Sequence, residues 1–266
     1  MKTFEVSRDL KVAYEEAGEG IPLVFLHAFP LTNAMWKAQV EEFSSNFHVL
    51  APNARGIGQS SSFRCQPSLQ TLASDLAEWL EEMGIYDAVI LCGLSMGGYT
   101  ALEFARTYPE KLRGLILADT RADADSADGR KARNEMIAFA AENTGKAVAQ
   151  KMLPKLLGAT SQKSSPRLAG KVTDIALPNS GKNLSQLVAA MRDRRDSTES
   201  LSGIVCPTLV VGGSEDVVSP PQVMADMANR IPNARHTIIE GVGHLANLEN
   251  PEAFNRALRE FLNHVT

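Results

Sequence analysis

Cysteine is scarce in this chain: three in 266 residues, at positions 65, 92 and 206. They are far apart, form no C-x-x-C pair and make no even framework, so neither a disulfide scaffold nor a thiolate metal site is indicated. Cys92 and Cys206 stand in apolar strand-like runs, where a thiol is ordinarily a small core residue. Basic runs are missing too. Lys and Arg number 27 against 31 Asp and Glu, for a net charge of −4. That balance argues against a nucleic-acid partner, which needs a concentrated positive face. No uncharged apolar stretch is long enough to span a bilayer. The first residues, Met-Lys-Thr-Phe-Glu-Val-Ser-Arg-Asp, hold no apolar core of a signal peptide. A cytoplasmic, reducing setting is the expectation.

What is present is ordinary for a globular protein: 44% hydrophobic and 22% charged residues. At this length one large α/β domain, or one domain carrying an insertion, is expected. The sequence carries no signature that separates a monomer from a homodimer.

The most informative stretch is Leu91-Cys92-Gly93-Leu94-Ser95-Met96-Gly97-Gly98-Tyr99. An apolar run over 88–92 predicts a buried strand, and 99–108 predicts a helix stopped before Pro109. Between them lies Gly-x-Ser-x-Gly. By chance this pattern occurs in about one chain of this size in ten. Its weight comes from the strand–turn–helix context, where a serine is pushed out of the backbone envelope and can attack a bound carbonyl. Gly93 and Gly97 stand where neighbouring backbones must come close.

The rest of the chain supplies a doubly wound sheet. Residues 4–6 and 10–14 alternate like strands joined at Arg8-Asp9. The continuous apolar run 22–27 reads as a strand buried on both faces. Asn33 is placed to cap a helix reaching residue 45. A strand over 47–51 leads into the Gly-rich loop 53–60. Ser68 caps a helix with Leu69, Leu72, Leu76, Leu80 and Met83 at helical spacing. A strand follows at 112–118, and after a long gap come a strand at 208–213, a helix at 220–230, a strand at 236–240 and a helix at 251–265. The gap, residues 123–200, breaks the rhythm. Amphipathic stretches at 132–142, 146–157, 166–176 and 182–194 predict an all-helical cap, with the polar run 158–165 as a loop. The expected organisation is a core of 1–122 plus 201–266 and a helical cap of 123–200.

A serine hydroxyl needs a base to remove its proton and a carboxylate to orient that base. Of five histidines, His48, His236 and His264 lie at strand starts or the C-terminus, and His27 sits where it braces a loop. His244, in Gly-Val-Gly-His-Leu after the last strand, falls at the carboxyl edge of the sheet with Ser95. The acid is Asp216, in the loop after 208–213, or Asp119, at the end of 112–118; Glu215 is a decoy beside the former. The order Ser, Asp, His is that of nucleophile-elbow hydrolases. An oxyanion needs two N–H donors. Met96 at the helix start is one, and Phe29 the other, since Ala28 is small and Pro30 has no N–H.

Together, His27-Ala28-Phe29-Pro30, Arg55-Gly56-Ile57-Gly58-Gln59-Ser60, Gly93-Leu94-Ser95-Met96-Gly97-Gly98 and the loops at Asp216 and His244 resemble the α/β-hydrolases over essentially the whole chain. They are most similar to the branch of small carboxylesterases, 3-oxoadipate-type enol-lactonases and cofactor-free haloperoxidase-like (perhydrolase) enzymes. Two positions depart: Ala28 replaces the usual glycine after the histidine, and Asn53 stands where aspartate is more common. The resemblance implies cleavage of a small-molecule ester or lactone through Ser95, His244 and Asp216, with no cofactor or metal. It implies neither a haloalkane dehalogenase nor an epoxide hydrolase, whose nucleophile is an aspartate. Within the class, lactonase, C–C bond hydrolase and perhydrolase chemistries stay open. A receptor on the same fold that keeps these side chains to bind a ligand is the alternative of another class.

Overall fold

The computed structural model describes residues 1–265. Eight strands form one sheet: β1 (Lys2–Glu5), β2 (Lys11–Ala17), β3 (Pro22–Leu26), β4 (His48–Pro52), β5 (Val89–Leu94), β6 (Leu112–Ala118), β7 (Thr208–Gly213) and β8 (Ala234–Ile239). Their spatial order is β1-β2-β4-β3-β5-β6-β7-β8. β1 and β2 pair antiparallel, as does β2 with β4; every later pairing is parallel. Eleven α-helices are present among the described residues: α1 (Lys37–Phe43), α2 (Leu69–Glu82), α3 (Met96–Thr107), α4 (Ala127–Ala141), α5 (Gly145–Leu156), α6 (Ala159–Ser164), α7 (Pro166–Ala176), α8 (Gly181–Arg192), α9 (Pro221–Arg230), α10 (Ala246–Glu249) and α11 (Pro251–Leu262). None is long and apolar enough to cross a membrane.

The continuous apolar runs are explained by two-sided burial. Successive strand residues point to opposite faces. On one face Phe25, Val49, Cys92, Ile116 and Val211 pack with Trp36 and with Phe43 of α1 and Phe254, Leu258 and Phe261 of α11. On the other, Val24, Leu50, Leu91, Leu117 and Val210 pack with Leu76, Trp79 and Leu80 of α2, Phe104 of α3 and Met224 of α9. Each face alone would need only every second residue apolar; both together need a run. Phe25 and Trp36 stack at 4.9 Å between centroids, and Trp36 lies 6.0 Å from Phe254.

Caps set several boundaries. Ser68 accepts from the Thr71 N–H and the Thr71 hydroxyl accepts from the Ser68 N–H, a reciprocal box at the start of α2. Asn33 does not cap the next helix as its sequence suggests. Thr32 does, for a 3₁₀ turn over Asn33–Trp36 that leads into α1. Asn33 is instead a buried strut: its N–H donates to Asn53 Oδ1 (2.7 Å) and its Nδ2 to the Ala51 carbonyl (2.8 Å). Asn53 therefore acts through its amide, and Arg55 pairs with Asp75 on α2, with Nε to Oδ2 at 2.7 Å and Nη2 to Oδ1 at 2.6 Å. The polar run expected to be a loop forms α6 over part of its length. The last helix stops at Leu262 rather than 265. The helix after Ser95 begins at Met96, one turn earlier than its apolar pattern indicated, because Gly97 and Gly98 belong to it.

Helices α4 to α8 lie between β6 and β7 in sequence. α5 and α7 reach the main core through Ala149, Leu156, Leu168, Val172 and Ala176. α4, α5 and α8 meet the elbow of Ser95 in a separate cluster that joins Ala140, Val148, Leu184, Leu187 and Val188 to Phe29, Met96 and Tyr99. The two chain ends of this segment are tied by Arg194, whose Nη1 donates to Asp125 Oδ1 (2.6 Å) and whose guanidinium sits 4.5 Å over the Tyr99 ring. Burial disfavours the Asp125 charge, yet Arg133 and Arg194 hold its carboxyl below the usual range.

Two consequences are measurable. A Cβ at Gly93 would lie 2.3 Å from the Gly97 carbonyl oxygen and 2.4 Å from its carbon, both backbone atoms with no room to yield. Gly93→Ala is expected to lower unfolding stability by about 3 kcal/mol; a urea midpoint equal to the parent's would contradict this. His27 is fully buried, and burial pushes its imidazole down to about 4. Its Nε2 accepts from the Ala54 N–H, and Nδ1 pairs with the Ala28 carbonyl, so it serves as a neutral brace. The unfolded histidine takes up a proton near pH 6.5, and the folded one only near pH 4. This site therefore supports the folded state above pH 6.5 and loses that support as pH falls toward 4. The stability gap between the parent and His27→Gln should shrink by roughly 3 kcal/mol from pH 7 to pH 4, read from denaturant unfolding at the two pH values.

Candidate active site

Ser95 occupies the turn between β5 and α3 at φ +56°, ψ −111°. A non-glycine residue there costs on the order of 1–3 kcal/mol and persists only when its surroundings enforce it. Here they do. The Ser95 N–H donates to the Ala118 carbonyl (2.9 Å), and the Ser95 carbonyl accepts from the Tyr99 N–H (3.0 Å) and the Thr120 hydroxyl (2.9 Å). Gly97 lies so close to β3 that a Cβ would stand 2.2 Å from the Leu26 oxygen, and one at Gly98 would stand 2.5 Å from the Thr120 hydroxyl. The glycines of the motif thus let β3, β6 and the elbow converge.

His244 follows β8 in a loop that passes over the elbow. Its Nε2 is 2.8 Å from Ser95 Oγ, and its Nδ1 is 2.8 Å from Asp216 Oδ2. With Nδ1–H donating to the carboxylate, Nε2 is left to accept the serine proton. The Asp216 side chain divides its work. Oδ1 accepts from the Val218 N–H (2.7 Å) and the Ser219 N–H (3.0 Å), leaving Oδ2 for the imidazole. All three residues are buried, yet Ser95 keeps 8% of its surface exposed. The serine, histidine and aspartate picked out in the sequence are therefore brought into one hydrogen-bonded line.

Of the two donors expected for an oxyanion, one adjoins this serine in the chain and the other lies in the loop after β3, the strand paired with β5. Met96 is the first residue of α3, and the first-turn N–H groups of a helix have no intrahelical acceptor. Phe29 follows β3 in the neighbouring loop, is 3% exposed and joins Pro30 through a cis peptide bond. Among the described residues neither N–H is engaged by a backbone acceptor outside helices and strands.

The other candidates fall elsewhere. Asp119 is fully buried at the end of β6 but makes no hydrogen bond to His244; its oxygens accept from the Gly213 N–H (2.9 Å) and the Ala246 N–H (3.3 Å). Burial and the nearby Asp216 push its carboxyl well above the usual range. Glu215 turns away from the histidine and accepts from the N–H (2.9 Å) and hydroxyl (2.5 Å) of Thr160, contacts that hold its carboxyl below the usual range. His48 pairs with Glu16 across the β2–β4 ladder. His264 Nδ1 meets the Glu260 carbonyl, away from the site.

Two residues at the site escaped the sequence reading. Glu249 accepts the N–H groups of Gly243 (2.9 Å) and Leu245 (3.2 Å), bracketing His244, and that of Gly158 (2.9 Å) from the helical segment. Its sign in the sequence is a lone carboxylate five residues after the histidine. Asn179 is 4% exposed, donates to the Pro30 carbonyl (2.7 Å) and accepts from the Gly58 N–H (2.9 Å), joining the Phe29 loop to the Gly-rich loop. Between Pro178 and Gly181 it looked like turn punctuation only.

The comparisons with known proteins agree with this architecture. A thermophilic esterase from Thermogutta terrifontis superposes with a TM-score of 0.93 at 36% identity, covering 96% of this chain and 94% of that one. The enol-lactonase of Burkholderia xenovorans LB400 shares the fold, with a TM-score of 0.89 at 24% identity over 97% of this chain and 99% of its own. In sequence, an (E)-2-((N-methylformamido)methylene)succinate hydrolase of Acinetobacter baylyi is 27% identical over 98% of this chain and 97% of that protein. The 3-oxoadipate enol-lactonase 2 of the same organism is 25% identical over 95% and 93%. The family model described as the alpha/beta hydrolase fold matches residues 21–251. On the mostly parallel sheet, the serine elbow between β5 and α3, and a match running from β3 to the start of α11, this chain belongs to the alpha/beta hydrolase fold family.

Proposed function

We propose that the chain is a serine hydrolase that cleaves carboxylic esters of small to medium acyl chain through an acyl-enzyme. The observation that carries this reading is the continuous line Ser95 Oγ, His244 Nε2, His244 Nδ1, Asp216 Oδ2, each link 2.8 Å. In this reading Ser95 attacks the acyl carbon while His244 accepts its proton. Asp216 keeps Nδ1 protonated and stabilises the imidazolium, remaining ionised itself. The N–H groups of Met96 and Phe29 receive the oxyanion of the tetrahedral intermediate. His244 then gives its proton to the leaving alcohol oxygen. It next deprotonates a water, whose oxygen attacks the acyl-serine; collapse of that intermediate returns the proton to Ser95 Oγ and frees the acid.

A lactone presents the same acyl carbon with the alcohol tethered to it, so lactonase activity is the second reading. The curated relatives named enol-lactonase favour it. A panel of p-nitrophenyl esters, lactones and β-diketones on the purified protein separates these readings. It also separates them from a ligand receptor, which would turn over none.

Residues 123–200 act in this proposal as the cap over a core of 1–122 and 201–266. The hydrophobic cluster that joins Leu184, Leu187 and Val188 to Phe29 and Met96 supports that role. A cap wall of this kind sets the room available to the acyl chain.

Two tests follow. Ser95→Ala is expected to reduce ester turnover by ~10³-fold or more and to abolish labelling by a fluorophosphonate. Asp216→Asn should cost on the order of 10⁴ in turnover, because the amide favours the wrong imidazole tautomer. Glu215→Gln should cost far less. Initial rates on one short-chain ester decide it, and parent-like rates in Ser95→Ala would sink the assignment. For the cap, Leu187→Ala and Val188→Phe should move the preferred acyl length in opposite directions. Each methylene gained or lost is worth roughly 1–3 kcal/mol of discrimination. Unchanged chain-length ranking in both folded variants would remove the cap from the specificity element.

A further inference from the structure

Asp119 and Ser95 are the two non-glycine residues at positive φ among the described residues. The turn at Ser95 has its explanation in the elbow. The one at Asp119, φ +41°, does not, because this residue touches neither Ser95 nor His244 through a side-chain hydrogen bond. Its backbone is anchored at the end of β6 by its N–H donating to the Val211 carbonyl (2.9 Å). From there the carboxyl reaches two different loops. Oδ1 accepts from Gly213, three residues before Asp216, and Oδ2 accepts from Ala246, two residues after His244. The approach to β7 is tight: a Cβ on Gly212 would stand 2.8 Å from Asp119 Oδ1.

We propose that Asp119 is a positioning residue that fixes the spacing between the loop carrying Asp216 and the loop carrying His244. This rests on the triad reading above. The side-chain type follows from the geometry. Both partners are N–H donors, and a carboxylate offers two acceptor oxygens. An asparagine of the same shape offers one acceptor and one NH₂, which would confront the second N–H. The site is also an expensive place for this group. It is fully buried, and Asp216, Glu249 and the Cys92 thiol are the titratable groups around it. An acidic side chain kept there, on a strained backbone and beside another carboxylate, is held for what it aligns. Glu249 holds the far side of the same loop through Gly243 and Leu245, so His244 is gripped by two carboxylates from both flanks.

The test compares the parent, Ser95→Ala and Asp119→Asn on one short-chain ester, with active sites counted by fluorophosphonate labelling run to completion. Asp119→Asn is expected to lose about 10²-fold in kcat per labelled site, the scale of a misplacement near 1 Å, with KM within twofold of the parent. A loss of merely folded protein would lower the number of labelled sites and leave kcat per site unchanged. At least a fivefold per-site loss in kcat with KM held supports the proposal. A smaller loss, or one carried by KM, overturns it. Should Asp119→Asn not fold, Asp119→Gly replaces it under the same criteria, since glycine accepts φ +41° without strain while removing both acceptors. Turnover surviving in Ser95→Ala would instead remove the triad reading itself, whatever Asp119→Asn does.

Discussion

The site hangs on one backbone conformation. Ser95 is held at φ +56° between the last residue of β5 and the first of α3, and three neighbours enforce it: β3 beneath Gly97, the β6 carbonyl of Ala118, and the Thr120 hydroxyl. That turn lifts Oγ clear of the backbone and leaves the Met96 N–H unused at its side. It also explains why small residues crowd this stretch. Gly93, Gly97 and Gly98 each meet another chain segment at a distance that excludes a side chain.

Around this fixed point the other groups arrive on loops, and loops need their own restraints. The answer in this chain is a set of buried or half-buried carboxylates that accept backbone N–H groups. Asp216 accepts two within its own turn, Asp119 spans two loops, and Glu249 ties the histidine loop to Gly158. A carboxylate can satisfy several donors at once from a single side chain, and charged acceptors bind N–H groups more strongly than neutral ones. The cost is burial of negative charge close to negative charge, visible in the upward push on Asp119. The helical segment is drawn into the same scheme, since Glu215 and Glu249 both hold the stretch at Gly158–Thr160.

Much of the fold was legible in the chain because strong local signals and tertiary structure agree. Strand β7 and helix α7 begin and end where their patterns do, and Ser68 caps α2 as expected. Disagreement came where a polar residue had two uses. Asn33 is a good capping residue by type, but burial against β4 gives its amide a better partner in Ala51, and Thr32 takes the cap. Glycines at 97 and 98 lower helix propensity and obscured the true start of α3. Close packing against β3 and Thr120, which the one-dimensional pattern does not contain, outweighs that loss.

Legible in the chain alone are the alternation of strands and helices of a doubly wound sheet, the placement of Ser95 on a strand-to-helix turn, and the location of Asp216 and His244 after later strands. These follow from apolar periodicity and from glycine spacing, which are local. The contact that Asp216 makes with the imidazole, and the other uses found for its two neighbours, come from the packed sheet. Asp119, Glu215 and Asp216 all stand at the ends of neighbouring strands β6 and β7; the sequence favours Asp216 among them, with Asp119 next, but carries none of their contacts. Their roles separate through contacts across more than twenty residues of chain: Asp216 to His244, Asp119 to Gly213 and Ala246, Glu215 to Thr160. Direction of a side chain at a strand end depends on where the next loop passes, and that is set by the packed sheet rather than by the residues beside it.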